Sequence, residues 1–219
     1  MAKLVEEAGR VVAATDVPEL PAAYPRRAER VARIRDGRRV QVRPIRPDDV
    51  PMLVAFRASL SPQSDRQRSS AHHPVLSMRE ADRFARVDYF DRLVLIVLVG
   101  DRIAGLGRYD RIGSTDEAEV AIVVEDDCQR QGIGTLLADE LARVARVRGM
   151  RLFVADSLAG EMATIEMLRS TGFPVESRFV EGVVKSSFPI EPAPGYLDAL
   201  ARREAARLVD RGNGAGWPS

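Results

Sequence analysis

The sequence predicts a mixed α/β domain organised on a single sheet, and three observations lead there. A β-branched run, Ala118-Glu119-Val120-Ala121-Ile122-Val123-Val124, is followed by a short acidic link, a loop with two glycines and an amphipathic helix. Ahead of that unit, apolar runs joined by tight-turn residues read as antiparallel hairpins. Behind it come one more strand, a short helix and a final hairpin, the order of a mixed sheet with helices packed on it.

Taken in order, residues 1–25 mix Ala, Val, Glu and Pro and are expected to form a leader. Residues 31–35 and 38–43 flank Asp36-Gly37, a pair that favours a type I′ hairpin turn. Arg43-Pro44-Ile45-Arg46-Pro47-Asp48-Asp49 ends the second strand, with Asp48 or Asp49 placed to cap a helix over 50–60. Ser61-Pro62-Gln63-Ser64 breaks that helix. A second helix is expected over 78–86, with Ser77 as cap and Glu80 at the capping-box position. Residues 93–99 and 102–110 form a hairpin turned at Gly100-Asp101, and 115–124 supplies the next strand. In the following helix, Ile133, Leu136, Leu137, Leu141 and Val144 recur at helical spacing and Gly149 supplies the stop. A buried strand over 151–155 and a helix over 161–170, closed by Gly172-Phe173, come next. Strands over 175–180 and 183–190 turn at Glu181-Gly182. Beyond Pro192-Ala193-Pro194-Gly195, residues 196–209 read as helix and 211–216 as a linker.

Composition removes several classes of function. Lys and Arg number 33 against 32 Asp and Glu, a balance that lacks the basic face a nucleic-acid binder needs. Arg26-Arg27 and Arg38-Arg39 are offset by nearby acids and read as solvated surface. The longest apolar run, 93–99, is far too short to span a bilayer, and no signal-peptide pattern opens the chain. Cys128 is the single cysteine, so no internal disulfide can form and a reducing cytoplasm is the expected home.

The loop at 129–134 carries the chemistry. A helix N-terminus offers unpaired N–H groups and the positive end of the macrodipole, and glycine lets that backbone approach an anion closely. A dinucleotide fingerprint would need a third glycine where Leu137 stands, and a Walker A loop would need a lysine that is absent here. Gln129-Arg130-Gln131-Gly132-Ile133-Gly134, behind a strand carrying Ala118-Glu119-Val120, instead resembles the acetyl-CoA loop of the GNAT acyltransferase superfamily. The resemblance covers about residues 38–190. It implies the GNAT fold and acetyl-CoA as cosubstrate, with no metal. It assigns the acetyl-CoA site to Ile122, Val123 and Val124 on the strand and to Gln129, Arg130, Gln131, Gly132, Ile133, Gly134 and Thr135 in the loop. With the composition of the two ends, the expected division is a leader at 1–25, the GNAT domain at 26–191 and a C-terminal helix and linker at 192–219. Arg43-Pro44-Ile45-Arg46-Pro47-Asp48-Asp49, Leu60-Ser61-Pro62-Gln63-Ser64 and Gly107-Arg108-Tyr109-Asp110 resemble the bacterial branch fused to NDP-forming acyl-CoA synthetase-like domains. That branch contains lysine acetyltransferases acting on AMP-forming acyl-CoA synthetases, so it implies a protein substrate of that kind, with no nucleic-acid or membrane partner. The tail from Arg211 would then begin a linker to a fused synthetase-like domain.

Glu119 is the expected catalytic residue. A lysine amine, with an unperturbed pKa of about 10.4, is protonated at neutral pH and cannot attack until a base takes the proton. Burial by the apolar neighbours Ala118, Val120, Ala121 and Ile122 is expected to move the carboxyl toward the working pH. Asp116 and Glu117 are runners-up, and Glu125-Asp126-Asp127 reads as a solvated link pointing away from the anion. The resemblance implies an oxyanion-stabilising amide near Ala121–Val123, freed by a bulge. Many relatives place a tyrosine general acid where this chain has Leu168, so Tyr109 replaces it only if the fold brings it close. Glu161 stands where many relatives use asparagine and is left out of the site. His72 and His73 lack further ligands at metal-binding spacing and read as structural, and Cys128 as a passive small residue. The alternatives to protein acetylation are a small-molecule amine acetyltransferase and a non-catalytic CoA-sensing domain.

Overall fold

The computed structural model describes residues 20–61, 77–158 and 162–209. The first half contains β1 (Arg30–Arg33), β2 (Arg39–Pro44), α1 (Val50–Ser59), α2 (Met78–Ala85), β3 (Arg92–Val99) and β4 (Arg102–Arg111). The second contains β5 (Glu117–Val124), α3 (Ile133–Val147), β6 (Leu152–Leu158), α4 (Met162–Ser170), β7 (Glu176–Val180), β8 (Val183–Pro189) and α5 (Pro194–Val209). The strands make one eight-stranded sheet in the order β1-β2-β3-β4-β5-β6-β8-β7. β5 and β6 are parallel and every other pair is antiparallel, the mixed α/β architecture expected from the sequence.

The central strand explains its own composition. Leu93, Leu95 and Val97 enter one core with α3, while Val94, Ile96 and Leu98 enter a second core with α1 and α2. A strand covered on both faces must be apolar at every position, which is why 93–99 reads as a continuous run. β4 carries glycine where the helix crosses it. A Cβ on Gly105 would stand 2.6 Å from Ile133 Cγ2, and one on Gly107 2.9 Å from Leu141 Cδ1. α3 therefore lies directly on the backbone of β4, with Ile133, Leu136, Leu137, Leu141 and Val144 buried as its spacing predicted.

Two local expectations are corrected. Only Gly37 takes a positive φ (83°) at the first hairpin tip, so Asp36-Gly37 is not a type I′ turn. Gly37 N–H donates to Ile34 O (3.0 Å) and Ile34 N–H to Arg38 O (3.1 Å), which is a type I turn closed by a left-handed glycine. Glu181 and Gly182, both at positive φ (50° and 85°), do form the primed geometry between β7 and β8. Asp49 precedes α1 but its side chain does not cap it. Its two oxygens accept from Arg43 at 2.6 Å each, deep in the fold, and one also accepts from Arg46 N–H at 2.7 Å. A buried guanidinium takes the carboxylate away from the helix because leaving either charge unpaired there costs more than an uncapped helix. Ser77 and Glu80 form the predicted capping box of α2.

Both ends of the described chain join the core. Tyr24, inside the expected leader, is buried, packs edge-on against Tyr89 (5.5 Å) and donates to Glu29 (2.8 Å). α5, beyond the expected domain boundary at 191, stacks Tyr196 on Phe173 (4.3 Å) and pairs Arg203 with Asp139 at 3.0 Å. No helix among the described residues is long and apolar enough to cross a membrane.

Candidate active site

β5 and β6 are in register only at Glu117↔Leu152, Ala118↔Phe153 and Glu119↔Val154. Beyond Glu119 the pairing stops, while β5 continues to Val124 against β4 and β6 continues to Leu158 against β8. The two strands part and leave an opening between them. Main-chain alternation says which groups face it. Asp116 O accepts from Arg151 and Leu152 N–H on the β6 side, whereas Glu117 O accepts from Ile112 and Glu125 N–H donates to Ala104 on the β4 side. Val120, Ile122 and Val124 thus turn their N–H and C=O groups to the opening, and Val123 turns its own to β4 with its side chain buried in the α1–α2 core. The bulge expected near Ala121–Val123 is absent from the β4–β5 pairing, whose register is unbroken from Arg111↔Ala118 to Gly105↔Val124. The register shift lies between β3 and β4, at Val97/Leu98. Amides on β5 are freed by the divergence of a neighbouring strand instead.

At the wide end of this opening stands the loop. Arg130 and Gly132 both have positive φ (60° and 84°), and α3 begins at Ile133 without a side-chain cap. The first intrahelical bond is Leu136 N–H to Gly132 O (3.0 Å), so the amides before it have no helical acceptor. The surrounding side chains are committed to the protein. Gln129 Nε2 donates to Val124 O (3.3 Å) and ties loop to strand, Ile133 packs into the core, and the Thr135 hydroxyl meets that of Ser170 at 3.3 Å. What remains for a ligand is backbone N–H and the exposed side chain of Arg130, and the first turn of α3 holds no acid. That combination suits an anion.

The acidic link before the loop is neutralised locally. Arg102 pairs with Glu125 and with Asp127 (2.9 Å), and Asp126 accepts from the N–H and hydroxyl of Ser61, both at 2.9 Å. Cys128 is fully buried beneath them. Burial, with Asp127 beside it, pushes its thiol above the ordinary value, so the passive role holds. Glu125, Asp127 and Cys128 offer ligand atoms within 4.8 Å of one another, yet Arg102 already supplies the cation there.

Glu119 lies where β5 and β6 stop pairing, on the sheet face covered by α1 and α2. The burial expected for it is not found: its side chain is 54% exposed. The apolar neighbours Ala118 and Val120 point to the opposite face, as alternation requires, and cannot shield it. Its partner is Arg108, whose Nη2 approaches Oε1 at 3.3 Å. Arg108 also pairs with Asp110, and Asp110 with Arg92 at 2.7 Å, giving a charge ladder across β3, β4 and β5. Asp116 is exposed at the closed end, and Glu117 sits where β5 and β6 are still paired.

No tyrosine reaches this place. Tyr109 is fully buried on the α3 side and its hydroxyl donates to Phe90 O (3.1 Å), with burial holding the phenol far above its ordinary value. The fold takes it away from Glu119, so it does not replace the missing general acid. The other three tyrosines, Tyr24, Tyr89 and Tyr196, are also buried, and Leu168 lies in the core. His72, His73 and Glu161 lie outside the described residues.

Residues 58–173 match the acetyltransferase (GNAT) family. The chain belongs to that family. It is 36% identical to the GNAT domain of S. lividans PAT, with a TM-score of 0.71 over 76% of this chain and 99% of that one. It is 28% identical to an acetyltransferase of Pseudomonas aeruginosa over 63% of this chain and 76% of the relative. It is 29% identical to the acetyltransferase Pat of Mycolicibacterium smegmatis over 81% of this chain, and spans 55% of that longer protein.

As a GNAT acetyltransferase the chain uses an acyl-CoA cosubstrate. The residues present fit one: an opening edged by main-chain groups of β5 beyond its last pairing with β6 leads to an acid-free helix N-terminus with left-handed glycine at its cap. Sequence reasoning missed Arg108 and Asp110 as neighbours of Glu119. Counting outward from the Gly100-Asp101 turn would not have found them, because the bulge beside Leu98 resets the register and the pairing of β5 is set only in three dimensions.

Proposed function

We propose that this GNAT acetyltransferase moves the acetyl group of acetyl-CoA to the ε-amine of a lysine on a folded protein, with Glu119 as general base. The observation that carries the reading is the position of Glu119 at the point where β5 and β6 separate. An acyl group at the end of an extended chain laid in that opening comes to rest within reach of a carboxylate that is accessible and only loosely paired. Glu119 takes a proton from the lysine ammonium, directly or through a water, and the freed nitrogen attacks the thioester carbon. Main-chain N–H groups of β5 that face the opening stabilise the charge developing on oxygen. The new C–N bond forms as the C–S bond breaks, and the thiolate leaves without a tyrosine acid, as its thiol pKa of about 8.5 allows.

The acceptor side supports a protein partner in part. Beside the proposed acceptor side, Arg57 is buried, while Arg79 and Arg83 of α2 are exposed and Arg86 is paired with Asp82. Exposed arginines on that wall suit a target surface with acidic residues, where opposite charge speeds encounter. The sequence resemblance to the branch that acts on AMP-forming acyl-CoA synthetases favours such a synthetase as the target, and the similarity to the PAT and Pat proteins agrees with that branch. Incubation with acetyl-CoA and such a synthetase should acetylate its active-site lysine, seen by mass spectrometry, and suppress adenylation. Efficient acetylation of aminoglycosides or free amines with no modified protein would replace this reading. CoA binding with no turnover on any amine would point to a sensor.

A further inference from the structure

The tip of the β1–β2 hairpin lies against the loop that precedes α3. Arg35 N–H donates to Gln131 O at 3.0 Å, and Arg35 Nη1 approaches Arg130 O at 3.5 Å across 95 residues of sequence. A Cβ on Gly132 would stand 3.8 Å from Arg35 Cγ and 4.0 Å from its Nε, so this side chain is what borders the left-handed glycine. Two neighbouring arginines of the hairpin are occupied: Arg33 Nη1 donates to Gly37 O (3.0 Å) and Arg38 Nε to Asp36 (2.6 Å). Arg35 differs. It is exposed, it meets no carboxylate among the described residues, and its one contact is at the outer limit of a hydrogen bond. A loose guanidinium at that point has a chemical use, because a planar fork of N–H donors matches phosphate oxygens.

We infer that Arg35 is a phosphate-binding residue of the acyl-CoA site, bringing a positive charge from the N-terminal hairpin to a loop that carries the exposed Arg130 besides its backbone amides. The inference rests on the family's use of this loop for the cosubstrate. The main-chain bond to Gln131 holds the hairpin in place whatever side chain stands at 35, so the guanidinium can turn from Arg130 O to a ligand without moving the backbone. A charge-assisted contact of this kind is worth on the order of tenfold in affinity.

The test is calorimetry with CoA and with dephospho-CoA on the wild-type chain and on Arg35→Gln, Arg35→Lys and Gly132→Asp. Arg35→Gln should weaken CoA about tenfold and flatten the salt dependence of binding, and Arg35→Lys should recover most of the loss. An equal loss with both ligands assigns the contact to the pyrophosphate, and a loss confined to CoA assigns it to the 3′-phosphate. Wild-type affinity of Arg35→Gln for both ligands, while Gly132→Asp fails to bind, overturns the role of Arg35 and leaves the loop reading intact. Wild-type affinity in Gly132→Asp removes the loop reading and this inference with it. A lowered melting temperature in Arg35→Gln with unchanged affinity would make the side chain a structural strap only, and equally overturns the proposal.

Discussion

Arg43–Asp49 and Arg108–Glu119 are two arginine–carboxylate pairs on the same face of the sheet, under α1 and α2, and they are held in opposite ways. Arg43 and Asp49 are buried at 5% and 1% exposure, joined by two bonds of 2.6 Å, with Arg46 N–H as a third donor. Glu119 is more than half exposed, has one contact of 3.3 Å, and shares its arginine with Asp110. A carboxylate saturated with donors in the interior has no lone pair left for a substrate. One at the edge of an opening, more than half exposed, can meet one. The difference separates a carboxylate that builds the fold from one available to chemistry, although both appear in sequence as an acid near an arginine.

The largest effect should come from breaking the buried pair. Asp49→Ala leaves Arg43 uncompensated and should cost about 3–5 kcal/mol, read as a lowered urea midpoint, while Glu119→Ala should change stability by no more than about 0.5 kcal/mol. Comparable losses in both variants would erase the contrast.

Activity should reverse the ranking. Glu119→Gln is expected to lower turnover on the order of 10²-fold or more with acetyl-CoA affinity preserved, the usual scale for loss of a general base. Steady-state rates across pH 6–9 equal to wild type would remove Glu119 from that role.

The same contrast between committed and available groups extends to the loop, where Gln129 and Thr135 are engaged and the amides of the first turn of α3 have no helical acceptor. Gly132→Asp places a carboxylate in the cradle and should weaken acetyl-CoA by at least tenfold, and Gly132→Ala, which carries the strain of φ +84° without the charge, by clearly less. Equal losses would mean backbone strain rather than anion binding explains the position.

The smallest change is expected at Arg108. Because its pair with Glu119 is exposed, Arg108→Gln should alter that pair's contribution to stability by only about 0–1 kcal/mol, measured by a double-mutant cycle with Glu119→Gln. A coupling of several kcal/mol would show Glu119 to be as structurally committed as Asp49.

Much of this molecule was determined by local sequence alone. The period of Ile133, Leu136, Leu137, Leu141 and Val144, the two-sided apolar run of β3, the Ser77–Glu80 box and the Glu181-Gly182 turn each act within a few residues, so their physics is written in consecutive letters. The strand–glycine loop–helix unit at 129–134 was legible for the same reason, since glycine, loop and helix start are contiguous. What only the tertiary structure decided are pairings between distant segments. Whether Glu119 is shielded depends on which face of β5 its neighbours take and on where β6 departs. Whether Asp49 caps a helix depends on a buried arginine competing for it. That Arg35 meets Gly132 depends on α3 crossing the sheet close enough, over Gly105 and Gly107, for a hairpin tip to reach its first turn. Electrostatic partners are chosen by distance in space, and a sequence specifies that distance only through the packing of the whole core.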